Sequence, residues 1–102
     1  MRLNPYHPDW YWDTLGAVFY SAHRYADAVE AYGRKVRPGF WTRCYLAACF
    51  AQMGRMEEAA IALAEARRLR PDCSLARVRT PDFSAADAEH LTEGLRKAGL
   101  SD

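Results

Sequence analysis

Apolar positions recur with helical spacing along most of the chain. Trp12, Leu15, Gly16 and Phe19 fall on one face of a first predicted helix. Tyr25, Ala28, Val29 and Tyr32 form the same i, i+3, i+4, i+7 stripe on a second. Leu46, Ala47, Phe50 and Met53 make a third stripe. Gly54 breaks it, and Met56, Ala59, Ala60, Leu63 and Ala66 make a fourth. Small residues at Gly16, Ala28, Ala47 and Ala59 allow paired helices to approach closely, with Phe19, Tyr32, Phe50 and Leu63 as bulky partners. Phe50 and Leu63 are therefore expected to be buried against each other or against Ala47 and Ala59.

The stripes repeat. Residues 15, 16, 19, 28 and 32 pair with 46, 47, 50, 59 and 63, each 31 positions on, while Pro38 and Pro71 are 33 apart. Two residues are thus missing between Tyr32 and Pro38, and the second helix of the first copy is expected to be shorter than its counterpart by about half a turn. Pro38 and Gly39 predict a break before Phe40. Beyond Pro71 the repetition stops. Residues 74 to 79 could form a short helix, and Thr80-Pro81-Asp82-Phe83 reads as a break. Ser84 reads as an N-cap with Asp87 three residues on. Leu91, Leu95 and Ala98 then form an apolar stripe, with Lys97 in the last turn and Gly99 as C-cap. This last helix is expected to cover the open end of the second copy.

Together these features predict an all-α chain of one domain, residues 1–102, with repeat one over about 9–39, repeat two over about 40–73 and a capping helix over about 84–98. The pattern Trp12-x-x-Leu15-Gly16-x-x-Phe19, Ala28-x-x-x-Tyr32, Pro38 resembles the tetratricopeptide-repeat (TPR) family over roughly residues 9 to 71. The resemblance implies two helix-turn-helix repeats in a right-handed α-solenoid. His23 stands where the family usually turns on glycine, and Arg43 where it often has Trp. A narrower likeness runs through three stretches: residues 3 to 12, Leu46 to Arg55, and Leu91 to Leu100. These are similar to the C-terminal repeat region of bacterial class III adenylate/guanylate cyclases. None of the metal- or nucleotide-binding residues of the cyclase domain maps onto this chain. The likeness implies a regulatory or scaffolding tail. Leu3-Asn4-Pro5 resembles the end of a preceding repeat, which leaves open a fragment or a shortened relative of a longer protein.

In that family, positions along each first helix face a concave groove. Here these are Trp10, Asp13, Ala17, Tyr20 and Ser21 from the first copy and Trp41, Tyr45, Ala48 and Gln52 from the second. Exposed Trp and Tyr suit a contact surface. The same aromatics could equally pack against a neighbouring repeat or the capping helix. Chaperone-tail-binding relatives clamp a terminal carboxylate with lysine, asparagine and arginine, which Asp13 and Ala17 do not supply. Trp12, as part of the signature, is expected in the core.

Composition narrows the function classes. A net charge of +1 creates no large field to gather nucleic acid or anionic lipid. The one basic run, Arg67, Arg68, Arg70, Arg77 and Arg79, lacks interleaved aromatics and reads as a solvated face near a helix C-terminus. No apolar run approaches the ~20 residues that span a bilayer, and the N-terminus lacks the apolar core of a secretory signal. Three cysteines, Cys44, Cys49 and Cys73, have no disulfide framework spacing, which suits a cytoplasmic setting. Cys44 and Cys49 are five apart on one helix and splay their sulfurs. His7, His23 and His90 lie on different elements, and no metal spacing or phosphate loop occurs.

The expectation is therefore a non-enzymatic protein-protein interaction unit without cofactor or metal, binding a protein or peptide. Its first helix, from Pro8 to Tyr20, carries more apolar surface than one groove and one seam cover. Self-association as a homodimer through Tyr11 and Val18, or contact with an upstream domain, would cover it. The alternatives are a small-molecule binder using an aromatic pocket, or a structural cap of a larger helical array.

Overall fold

In a computed structural model, residues 9 to 75 and 85 to 100 are described. The elements are α1 (Asp9–Ser21), α2 (Tyr25–Gly33), α3 (Phe40–Gln52), α4 (Met56–Leu69) and α5 (Ala85–Ala98), with no strand among the described residues. Apart from Ser74 and Leu75, the short helix expected over 74 to 79 lies outside the described residues, as do the expected break at Thr80-Pro81-Asp82-Phe83 and the Ser84 cap. His7 and Leu3-Asn4-Pro5 also lie outside them.

Helices α1 and α2 pack as one pair and α3 and α4 as another, while α2 packs on α3. The turns inside the two pairs are the same turn, 31 residues apart. The Arg24 amide donates to the Phe19 carbonyl at 2.8 Å, and the Arg55 amide donates to the Phe50 carbonyl at 2.8 Å. The Ala28 amide reaches the Arg24 carbonyl at 3.0 Å, and Ala59 reaches Arg55 at 3.0 Å. Each turn needs one residue in the left-handed region. Gly54 supplies it at φ 78° and His23 at φ 62°. A side chain is disfavoured there, and His23 is held by contacts described below. In each turn the arginine forms an ion pair three residues on, Arg24 with Asp27 and Arg55 with Glu58. It also lies over the phenylalanine before the turn, at 5.1 Å from the Phe19 ring and 5.2 Å from the Phe50 ring.

The centre of each pair solves one packing problem in two sizes. Tyr32 is buried across from Gly16, where an added Cβ would come within 2.4 Å of the Tyr32 ring. At the equivalent places the smaller Leu63 is buried with Ala47. A parallel exchange occurs on the flank. The Arg34 guanidinium lies 5.4 Å from the Trp12 ring, and the equivalent residues, Glu65 and Arg43, form an ion pair instead.

Three expectations need correction. Phe50 is half-buried rather than buried, because it lies at the mouth of a hollow between α3 and α4 with Arg55 above it. Trp12 is likewise half-exposed, in the matching hollow of the first pair. α2 has 9 residues against 14 in α4, more than a full turn shorter rather than half a turn. It ends at Gly33, a poor helix former, well ahead of Pro38. The break before Phe40 is present, with Gly39 extended at the start of α3.

The largest correction concerns α5. It lies chiefly along α3, not on the end of the second pair, and reaches back to the first. Leu91 and Leu95 are fully buried in the central cluster with Tyr20, Ala48 and Cys49. Gly94 makes the close approach possible. A Cβ there would sit 2.7 Å from the Ala48 Cβ and 2.5 Å from the Tyr20 hydroxyl. The buried Thr92 hydroxyl donates within α5 to the Ala88 carbonyl at 2.9 Å, so no polar group is stranded in the seam.

Candidate functional site

Of the nine residues expected to line one groove, seven fall into three groups, and Trp10 and Trp41 stand apart from them. Tyr20, Ala48 and Gln52 lie beneath or beside α5. The Tyr20 hydroxyl donates to the His90 carbonyl at 2.6 Å, and Lys97 donates to the Gln52 side-chain carbonyl at 2.9 Å. Asp13 belongs to the seam between the pairs. It accepts from the Thr42 hydroxyl at 2.8 Å and forms an ion pair with Lys35, whose side chain is largely covered. Charge and hydrogen bonding hold it there, not facing a partner. Ala17, Ser21 and Tyr45 form the third group. With Thr14, Val18 and Asp87 they line an open hollow of about 520 Å³. Trp10 stands exposed on α1, while Trp41 is half-buried and meets the Phe40 ring edge-on at 5.3 Å.

The flank of α1 has a direct standard of comparison in α3. Residues 11 and 18 correspond to 42 and 49. Thr42 and Cys49 are 1% and 0% exposed, sealed on the side where α2 and α1 pack. Val18 is 58% exposed and Tyr11 is half-buried. Trp10, at 65% exposure, extends this surface, and Val18 joins it to the hollow.

A second cluster was not legible in the sequence. His23, in the α1–α2 turn, stacks on His90 of α5 with centroids 4.5 Å apart. The Tyr25 hydroxyl lies between them, 3.0 Å from Nδ1 of His23 and 2.8 Å from Nε2 of His90. Tyr20 stacks on the other face of His90 at 4.2 Å. Burial pushes the His90 pKa down, and His23 beside it adds to that; Glu93 and Asp87 oppose it.

Two of the cysteines and Tyr45 are held protonated by burial. Burial pushes the Cys49 thiol up to about 12 and the Cys44 thiol further, so neither is a thiolate. Burial, then the nearby Asp87 charge, pushes Tyr45 up to about 12. Among the described residues no group of three or more His, Cys, Asp or Glu is placed to hold a metal ion, and no helix is long and apolar enough to cross a membrane. The exposed Arg70 guanidinium lies 4.6 Å from the Phe40 ring, and Arg67 donates to the Gly99 carbonyl at 3.5 Å. Part of the basic run is thus engaged within the protein; Arg77 and Arg79 lie outside the described residues. No family model matches the chain, and neither the curated proteins nor the solved structures give a match.

Proposed function

We propose that the chain is a protein-binding unit built from two TPR-like repeats in a right-handed solenoid, with no catalytic activity of its own. The observation that carries this reading is the flank of α1. Val18 is exposed where the equivalent Cys49 is fully buried, and Tyr11 is half-buried where the equivalent Thr42 is fully buried. A flank that is buried on α3 and partly exposed on α1 fits another helical pair of the same kind. A second copy of this chain supplies one through a two-fold contact, and an upstream repeat of a longer protein would supply one in cis. The concave face of α1 and α3 is the second contact region, with Ala17, Ser21 and Tyr45 open beside α5. As a regulatory or scaffolding tail, such as that of a cytoplasmic nucleotide cyclase, the unit would position a signalling partner.

Sedimentation equilibrium tests the self-association. A dimer with micromolar or tighter affinity is the expected outcome, and a monomer at ~100 μM contradicts it. A thermal-shift screen against nucleotides and common metabolites tests the rival class. Saturable stabilisation by one metabolite would favour a small-molecule binder in the hollow beside Tyr45.

A further inference from the structure

The seating of α5 raises a question about the contact face just assigned. Part of that face is covered by the chain's own helix. α5 is amphipathic, carries Leu91 and Leu95 into the core, and uses Gly94 to lie close on Ala48. This is how an amphipathic helix occupies a groove. The half of α5 that reaches the first helix pair is tied there by His90, through the Tyr20 bond to its carbonyl and the His23–Tyr25–His90 cluster.

We infer that α5 is a pH-sensitive latch on the concave face. Its His90 end is held against the α1–α2 turn while the His90 imidazole, stacked on His23, is neutral, and protonation of His90 loosens it to uncover Tyr20 and Ala48. The inference rests on that face being the contact region and adds how access to it is regulated.

The hydrogen bonding fits the neutral state. One phenolic hydroxyl can donate to the lone pair of one imidazole and accept an N–H from the other. With His90 protonated, both of its ring nitrogens are donors and the Tyr25 hydroxyl loses it as an acceptor. The His23 ring stacked 4.5 Å away also disfavours a charge on His90. The other charged groups near His90 are on α5 itself. Asp87 and Glu93 favour the protonated ring, and Lys97 opposes it. From α1 and α2 come the uncharged phenols of Tyr20 and Tyr25, and Gln52 of α3 is occupied by Lys97 and Tyr20.

The sign follows from linkage. His90 has a lower pKa docked than the ordinary value of 6.5 that it regains undocked. The undocked state therefore binds more protons, and docking weakens as pH falls below about 6.5. One proton taken up on release changes the docking equilibrium by at most about tenfold per pH unit.

Hydrogen exchange of the full chain, expressed as protection factors to remove intrinsic pH effects, reads the latch directly. Between pH 7.5 and 5.5, protection in residues 85 to 98 is expected to fall, by at most about tenfold, while α4 is unchanged. His90→Gln removes the titration, and His23→Asn removes the second ring while tolerating the left-handed backbone. Together they should flatten the dependence. A flat profile in the wild-type chain, or an undiminished fall in the double variant, overturns the latch. Should the variants unfold, the NMR titration of His90 decides alone: a pKa below 6.5 supports the latch, and one at or above 6.5 overturns it. None of these readings needs a partner, so failure of the latch is distinguishable from failure of the proposed binding.

Discussion

The two helix pairs share a turn, a hollow and a 31-residue register, yet they fill that frame differently. The first pair sets Tyr32 against Gly16 and stacks Arg34 on Trp12. The second sets Leu63 against Ala47 and pairs Glu65 with Arg43. A large residue is matched by a missing side chain, and a smaller residue by a methyl. Arg43, at the place equivalent to Trp12, is accommodated in the same way, because it faces Glu65 where Trp12 faces Arg34. What the frame conserves is volume and complementarity at a pair of positions, not the residue at either one.

Deleting bulk separates core from rim most sharply. Leu63→Ala should cost about 3 kcal/mol in urea denaturation, because Leu63 is buried and its neighbours Ala47 and Ala59 cannot fill the space. Phe50→Ala should cost roughly half of that, since the ring is already half in water. Equal losses would mean that the rim and the core are not distinct.

The exchange between pairs can be tested by a cycle. Gly16→Ala should destabilise by about 1–3 kcal/mol, because the added methyl meets the buried Tyr32 ring. Adding Tyr32→Leu copies the solution of the second pair and should recover part of the loss. Strictly additive effects would show that the two positions are not coupled.

Smaller effects belong to the flanks. Glu65→Ala should cost about 1 kcal/mol, because it strips the partner from a largely covered Arg43 whose Nε already lacks one. Introducing Arg43→Trp and Glu65→Arg together should restore most of it. The smallest expected change has the opposite sign. The Tyr32 hydroxyl is buried without a partner, so Tyr32→Phe should be neutral or stabilising by up to about 1 kcal/mol. A clear loss would mean that the hydroxyl is satisfied.

The helical periodicity located the five helices among the described residues, and the 31-residue spacing anticipated the equivalence of the two turns. Local signals sufficed there, since Gly54, Pro38 and Gly39 act on the backbone around them. The seating of α5 was not legible, because the Leu91, Leu95 and Ala98 stripe states that a face is buried without saying against what. Gly94 was the available clue: a glycine inside a helical stripe marks a close backbone approach. The meeting of His23 and His90 depends on that seating and has no sequence signature. Asp13 was assigned to the groove by register alone, and its salt bridge to Lys35 required a loop whose path the pattern does not specify.

The contrast that bears on function is between α1 and α3. Thr42 and Cys49 are buried, while Val18 is exposed and Tyr11 half-buried. Sedimentation equilibrium of the wild-type chain beside Val18→Glu tests it most directly. A wild-type dimer, with a variant that is monomeric and equally helical, is the predicted result. A wild-type chain that stays monomeric at ~100 μM, or a dimer that survives both Val18→Glu and Tyr11→Glu, would contradict the account.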